Sequence, residues 1–374
     1  MGRLGVNLAI LTSSRADYGI WSPLLRQLRK DDHLKFELIV FGTHLSINHG
    51  YTIKEIISDG FDVTHQLDTM PNGDAPLDIS HAMGKTMMVF SEFWRKNGAH
   101  FDAVLCLGDR YEMFAAVAAT APFGILVAHV HGGETTLGAI DNAFRHSISQ
   151  FSRFHFASCE HYAKRIKNMV DNTNDVYVVG ALGLDNIRDM DLLDATGFEQ
   201  RFGFRMDDKT ILFTFHPETI LADSNVKHGQ ELVKALLALT NYNVLITMPN
   251  ADTYGDTLRS IFMEGLKSCP RIQMVENLGT LGYLSAMKLS AFLLGNTSSG
   301  IIEAASFGKY VINLGSRQRG RACGDNVMHV AVDSQEILSA VLLIESKGDW
   351  QNGNMYDKGG AANCIIDVLR SRLS

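Results

Sequence analysis

Ala291-Phe-Leu-Leu-Gly-Asn-Thr-Ser-Ser-Gly-Ile-Ile-Glu-Ala-Ala-Ser-Phe-Gly308 packs an apolar strand, a tight polar turn and a helix start into one short run. A strand that ends in small hydroxyl residues just before a helix leaves several backbone N–H groups pointing at one spot, and that spot suits a phosphate. Four residues past Ser299, Glu303 is expected in the first helical turn. There the helix dipole favours a carboxylate, which can accept hydrogen bonds from a diol such as ribose. An ordinary helix cap with an acidic first turn has the same spelling, so the rest of the chain has to decide.

Strands alternate with helices on both sides of this run. Apolar stretches at Val6 to Thr12, Phe36 to Phe41, Ala103 to Gly108, Ile125 to Val130, His155 to Ser158 and Val176 to Gly180 are separated by amphipathic segments of helical length. A second series follows at Ile211 to Phe215, Val244 to Met248, Ile272 to Val275, Ala291 to Gly295, Val311 to Leu314 and Met328 to Val332. The pattern predicts an α/β chain of two Rossmann-like, doubly wound domains with parallel sheets. The polar segment Leu182 to Asp208 is the natural linker, with room for a helix inside it, and Asn363 to Leu373 has helical spacing.

The 374 residues exceed one ordinary core and suit two, with 46% hydrophobic and 20% charged residues. A net charge of -7 with no basic run argues against nucleic acid or an anionic membrane as partner. Cys106, Cys159, Cys269, Cys323 and Cys364 are scattered without a Cys-x-x-Cys pair, which fits reduced thiols in a cytoplasmic protein. The first strand follows without a signal-peptide pattern, and no apolar run approaches the length of a membrane span.

Ligands of open parallel sheets bind at the carboxyl ends of the strands, so the polar residues there are the candidates. They are Ser13-Ser14-Arg15-Ala16-Asp17-Tyr18, Gly108-Asp109-Arg110 and His129-Val-His-Gly-Gly-Glu134 in the first half. The second half offers Phe215-His216-Pro217, Met248-Pro-Asn-Ala-Asp252, Asn296 to Gly300 and Gly315-Ser-Arg-Gln-Arg-Gly-Arg321. No G-x-G-x-x-G follows the first strand, and the Walker, H-E-x-x-H and G-x-S-x-G motifs are missing. His129, His131 and Glu134 could ligate a metal, but their spacing equally suits hydrogen-bonded histidines at a strand end.

Six ordered motifs together resemble the hydrolysing UDP-N-acetylglucosamine 2-epimerases of sialic-acid synthesis. They are Ser13-Ser-Arg-Ala-Asp-Tyr-Gly19, Gly108-Asp-Arg110, His129-x-x-Gly-Gly-Glu134, Ile140-Asp-Asn-x-x-Arg-His146, Gly295-Asn-Thr-Ser-Ser-Gly300 and Val311-Ile-Asn-Leu-Gly-Ser-Arg-Gln318. The resemblance covers nearly the whole chain. It implies a fold like the two-domain B-type glycosyltransferases, with the active site in the interdomain cleft. Residues 1–181 and a returning terminal helix, 357–374, would form one domain, and 182–356 the UDP-binding domain. It also implies a UDP-sugar substrate, no cofactor and no metal, and a homo-oligomer, dimer or tetramer.

Carried over residue by residue, the resemblance places Ser298 and Ser299 on the diphosphate, with Arg15 as a charged clamp from the opposite domain. Glu303 would accept the ribose hydroxyls, Arg317 and Asn250 would lie on the nucleotide side, and His216 would sit beside the leaving phosphate or the sugar. Ion pairs for the arginines, and capping or packing for the histidine, are the plain alternatives.

The C2 hydrogen of a 2-acetamido sugar is not acidic, so its removal must be coupled to departure of UDP from C1. That gives a glycal, and the family route then adds water at C1 and a proton at C2 from the opposite face, releasing N-acetylmannosamine and UDP. A base and an acid are needed, and Asp109 and Asp141 match the family's catalytic carboxylates, with a structural anchor for Arg145 or a helix cap as the plain alternative for each. Several relatives carry glutamate where this chain has His131, so either His131 or Glu134 takes over that proton transfer. Related enzymes act on UDP-N,N'-diacetylbacillosamine, the alternative substrate to UDP-N-acetylglucosamine. A glycosyltransferase of the same fold or a nucleotide-sugar sensor are the alternatives outside this reaction.

Overall fold

The computed structural model describes residues 5–47, 50–71, 73, 75–135, 140–217, 224–249 and 255–373. They divide into two compact units. Those within Met1–Thr135, Ala139–Asp189 and Tyr356–Ser374 make the first, and those within Met190–Met355 belong to the second.

The first unit holds a seven-stranded sheet of β1 (Val6–Thr12), β2 (Leu34–Phe41), β3 (His65–Leu67), β4 (Ala103–Leu107), β5 (Val127–Val130), β6 (Phe154–Ala157) and β7 (Val176–Val178). Its spatial order is β3-β2-β1-β4-β5-β6-β7, and every pairing is parallel. Ile10 lies opposite Leu38 on one side and Leu105 on the other. Near-continuous apolar runs form these strands because helices bury both faces. Leu8 and Ile10 enter one core, while Ala9 and Leu11 enter the other. The edge strand β3 escaped the sequence pattern because His65-Gln66-Leu67 is short and only half-buried.

The second unit repeats the design with six parallel strands, β8 (Thr210–Thr214), β9 (Asn243–Thr247), β10 (Ile272–Val275), β11 (Leu293–Gly295), β12 (Val311–Leu314) and β13 (Val327–Val330). They are ordered β10-β9-β8-β11-β12-β13. In each sheet the winding reverses once, between β1 and β4 in the first and between β8 and β11 in the second. Such a switch point opens a crevice at the strands' carboxyl ends.

The segment expected as linker is partly structured. Helices occupy Asp185–Asp189 and Ala195–Phe202, and the stretch up to Asp189 belongs to the first unit. The cause is local: the Asp185 carboxylate accepts the N–H groups of Ala361 and Ala362 at 3.2 and 2.8 Å, capping the terminal helix Ala361–Leu373. That helix sends Ile365, Ile366 and Leu369 into the core that holds Leu8 and Ile10.

Candidate active site

At the switch point of the first sheet, β1 is followed by Ser13 and Ser14. Ser14 caps the helix Arg15–Leu28 by accepting the Asp17 N–H. The Ser13 hydroxyl lies 2.7 Å from Asp17 Oδ2 and 3.2 Å from Glu112 Oε1, and Glu112 is ion-paired to Arg110. One hydroxyl proton cannot fill both carboxylates. Burial pushes the Asp17 carboxyl up, against the Ser13 hydrogen bond and the Arg110 charge. Arg15 opens the same helix and is exposed, 3.9 Å from Glu55 across half-exposed side chains.

The ends of β4 and β5 meet through one guanidinium. Arg145, buried on the helix Asp141–Phe151, is ion-paired to Asp109, faces Glu134 Oε2 at 3.4 Å and donates to the His131 carbonyl at 3.0 Å. Glu134 is 3% exposed, whereas the Asp109 side chain keeps 28% of its surface. Glu134 Oε1 also accepts from the Ser158 hydroxyl at 2.9 Å. Asp141 opens its helix on the exposed side, and its carboxyl is raised by desolvation first and then by the Asp109 charge.

His131 follows β5 with φ at 63°, a left-handed conformation that among the described non-glycine residues only Tyr51 shares. Its ring explains how the turn is held. The Leu182 N–H donates to Nε2 at 3.3 Å, so the proton of the neutral ring is on Nδ1, which donates to Glu134 Oε1 at 2.8 Å. Both nitrogens are therefore engaged within the protein. His129 is likewise used up, with Nε2 against the Gly108 carbonyl at 2.9 Å and Nδ1 against the Ser149 hydroxyl at 3.1 Å. Burial pushes it down to about 3. Among the described residues no group of three or more His, Cys, Asp or Glu is placed to hold a metal ion, and no helix is long and apolar enough to cross a membrane.

The second unit's switch point is organised by Asn296, fully buried after β11. Its side chain accepts the His216 N–H at 2.7 Å and donates to the His216 carbonyl at 2.8 Å. Its own carbonyl accepts from Gln318 Nε2 at 2.9 Å and Arg317 Nη1 at 3.4 Å. Gly295 is obligatory here: φ is 143°, and a Cβ would fall 1.8 Å from the Thr214 carbonyl oxygen. Burial, then the Arg317 charge, pushes His216 down to about 4, leaving it a neutral imidazole at neutral pH.

Thr297 caps the next helix, accepting the Gly300 N–H at 3.2 Å, and Ser298 and Ser299 are the first two helical residues. The helix stops at Ile302, so Glu303 is its C-cap rather than a first-turn residue, a correction to the sequence expectation. The Glu303 charge instead lies near Tyr283, whose hydroxyl is raised by desolvation foremost and which reaches Thr297 Oγ1 at 3.5 Å. Asn250 lies outside the described residues. From sequence alone Ser158 had no role, Asn296 and Gln318 stood only within strand-end motifs, and Arg145 stood only within the Ile140–His146 motif and as a possible partner for an aspartate. A polar residue directly after a buried strand was the signal for Ser158 and Asn296.

A profile of the UDP-N-acetylglucosamine 2-epimerase family matches residues 26–370. The UDP-N,N'-diacetylbacillosamine 2-epimerase (hydrolyzing) of Legionella pneumophila is 33% identical over 369 residues, 96% of this chain and 94% of that one. Polysialic acid biosynthesis protein P7 of Escherichia coli is 33% identical over 365 residues, 96% and 92% of the two chains. A crystal structure of the UDP-GlcNAc 2-epimerase of Neisseria meningitidis, bound to UDP-GlcNAc, matches in fold with a TM-score of 0.82 at 18% identity. It covers 98% of this chain and 100% of the other. The two parallel-sheet units have the fold class of B-type glycosyltransferases. The chain belongs to the UDP-N-acetylglucosamine 2-epimerase family, whose hydrolysing members are enzymes acting on UDP-sugars.

Proposed function

We propose that the chain catalyses hydrolytic 2-epimerisation of a UDP-2-acetamido sugar, releasing UDP and the free sugar inverted at C2, with UDP-N,N'-diacetylbacillosamine as substrate. The observation that carries the reaction is the pair Asp109 and Asp141. Asp109 is partly exposed and ion-paired to Arg145, while the neighbouring Asp141 carboxyl is raised. An ion-paired carboxylate beside a carboxyl raised by burial suits a reaction that takes a proton from C2 and returns one from the other face. Asp109 is assigned the base and Asp141 the acid.

His131 is assigned a positioning role. With Nε2 on Leu182 and Nδ1 on Glu134, it orients Glu134, which offsets the buried Arg145 charge. In the second unit, Ser298 and Ser299 take the diphosphate with their helix-start N–H groups, Glu303 and Arg317 complete the nucleotide side, and His216 acts as a neutral hydrogen-bonding imidazole. Arg15 remains the proposed cation for the diphosphate.

The diacetamido substrate is placed first because the Legionella relative, at 33% identity over nearly the whole chain, is named for it. This reverses the order expected from the sequence. The Escherichia coli relative, named for polysialic acid biosynthesis, keeps sialic-acid synthesis as the second reading, with UDP-N-acetylglucosamine, the substrate expected from the sequence resemblance. Purified protein in deuterated water, given each nucleotide sugar in turn, tests both points. Released sugar should carry deuterium at C2, and kcat/KM should be higher for the diacetamido substrate. Hydrogen retained at C2 overturns the elimination route, and a preference for UDP-N-acetylglucosamine overturns the substrate assignment.

A further inference from the structure

One group of reactive side chains takes no part in the proposed chemistry. The loop between β12 and β13 carries Arg317 and Gln318 and then Cys323, a partly buried thiol. Cys323 Sγ lies 3.4 Å from His329 Nε2, and the other ring nitrogen, Nδ1, lies 3.0 Å from the Asn313 side-chain amide. Asn313 is 1% exposed, and its Oδ1 has no hydrogen-bond partner among the described residues. Turned so that Oδ1 accepts the ring Nδ1–H, the amide keeps its contact with the imidazole, and the amide nitrogen takes the position that the oxygen leaves. His329 is then fixed with a lone pair on Nε2, aimed at the sulfur.

From this geometry we propose that Cys323, His329 and Asn313 form a base-assisted nucleophilic thiol, a covalent modification site for soft electrophiles on the loop that also carries Arg317. The thiol rests protonated, raised by burial and by the Asp325 carboxylate, so its reactivity depends on the neighbouring base. With an alkyl halide the step balances simply. The S–H proton passes to His329 Nε2, the sulfur lone pair displaces halide to form a C–S bond, and the imidazolium returns its proton to water. His329 is itself exposed, which leaves the sulfur approachable from that side.

The four other thiols provide internal standards, since Cys269 and Cys364 are similarly half-buried whereas Cys106 and Cys159 are buried. The full-length protein is treated with iodoacetamide near neutral pH, and the alkylation rate of each cysteine is followed by peptide mass spectrometry. Cys323 should react at least about tenfold faster than Cys269 and Cys364, and His329→Ala should remove that advantage. Continued silence of Cys106 and Cys159 shows that the variant remains folded. Cys323 reacting no faster than Cys364, or a folded His329→Ala protein reacting at the parent rate, overturns the proposal.

Discussion

Arg145 joins the residues of the first site, because one buried guanidinium faces two carboxylates and a backbone carbonyl. Burial alone would weaken its charge, but Asp109 and Glu134 outweigh burial and hold the proton on. Asp109 is the more exposed of the two acids, and His131 has both ring nitrogens committed. The two residues should therefore fail differently. Asp109→Asn should cut kcat by about a hundredfold or more while UDP affinity, measured by calorimetry, changes little. His131→Ala should lower kcat through a loosened Glu134 yet leave the limbs of the pH–rate profile in place. Loss of a limb near neutrality in His131→Ala would make His131 a proton-transfer group, and loss of UDP binding in a folded Asp109→Asn protein would remove Asp109 from the chemistry.

Among the elements, the junction of β8, β11 and the loop after β12 decides whether the nucleotide turn exists. Asn296 ties all three with its backbone and side chain, and the helix behind it is only five residues long. So short a helix has little macrodipole, and an anion there must rely on the local N–H groups of the turn. Asn296→Ala should destabilise the protein by about 2–4 kcal/mol in denaturant titrations and also weaken UDP binding, because the N–H and carbonyl of His216 both lose their bonds to the Asn296 side chain. Ser298→Ala should weaken UDP binding by roughly 1–3 kcal/mol with little change in stability. Equal effects of the two substitutions on stability would contradict this division. The strands themselves were legible because buried parallel strands spell near-continuous apolar runs, and the strand-end rule pointed to Asp109, His131 and His216. The early end of the Ser298 helix was not legible, since Ser-Ser-Gly-Ile-Ile carries no stop signal, and that displaced Glu303 from its expected turn. Nor could spacing show that His131 spends both nitrogens internally, since the Leu182 N–H comes from a segment fifty-one residues away.

At the scale of the whole molecule, buried imidazoles couple folding to pH. His44, His129 and His155 are at most 1% exposed, and burial lowers them from 6.5 to about 4, 3 and 4. Each folded pKa lies below the unfolded value, so the unfolded chain takes up protons first as the pH falls. Their contribution is fully present above about pH 6.5 and is lost progressively as the pH drops toward 4 and below. Each such group can change stability by up to about 1.4 kcal/mol per pH unit in that window, and three together by up to about 4. Asp17 and Asp141 act in the opposite direction, because their raised carboxyls bind protons in the folded state before the unfolded chain does. The histidines outnumber them, so the unfolding free energy should fall steeply from pH 6.5 to 4.5 in urea titrations at constant ionic strength. His155 gives the cleanest check, as it is 1% exposed on β6 and has no assigned part in the reaction. His155→Phe should flatten the slope by about one proton's worth, whatever it does to stability at neutral pH. A parent protein whose unfolding free energy stays level down to pH 4.5, or a folded His155→Phe variant with an unchanged slope, would show that these rings are not held neutral by the fold.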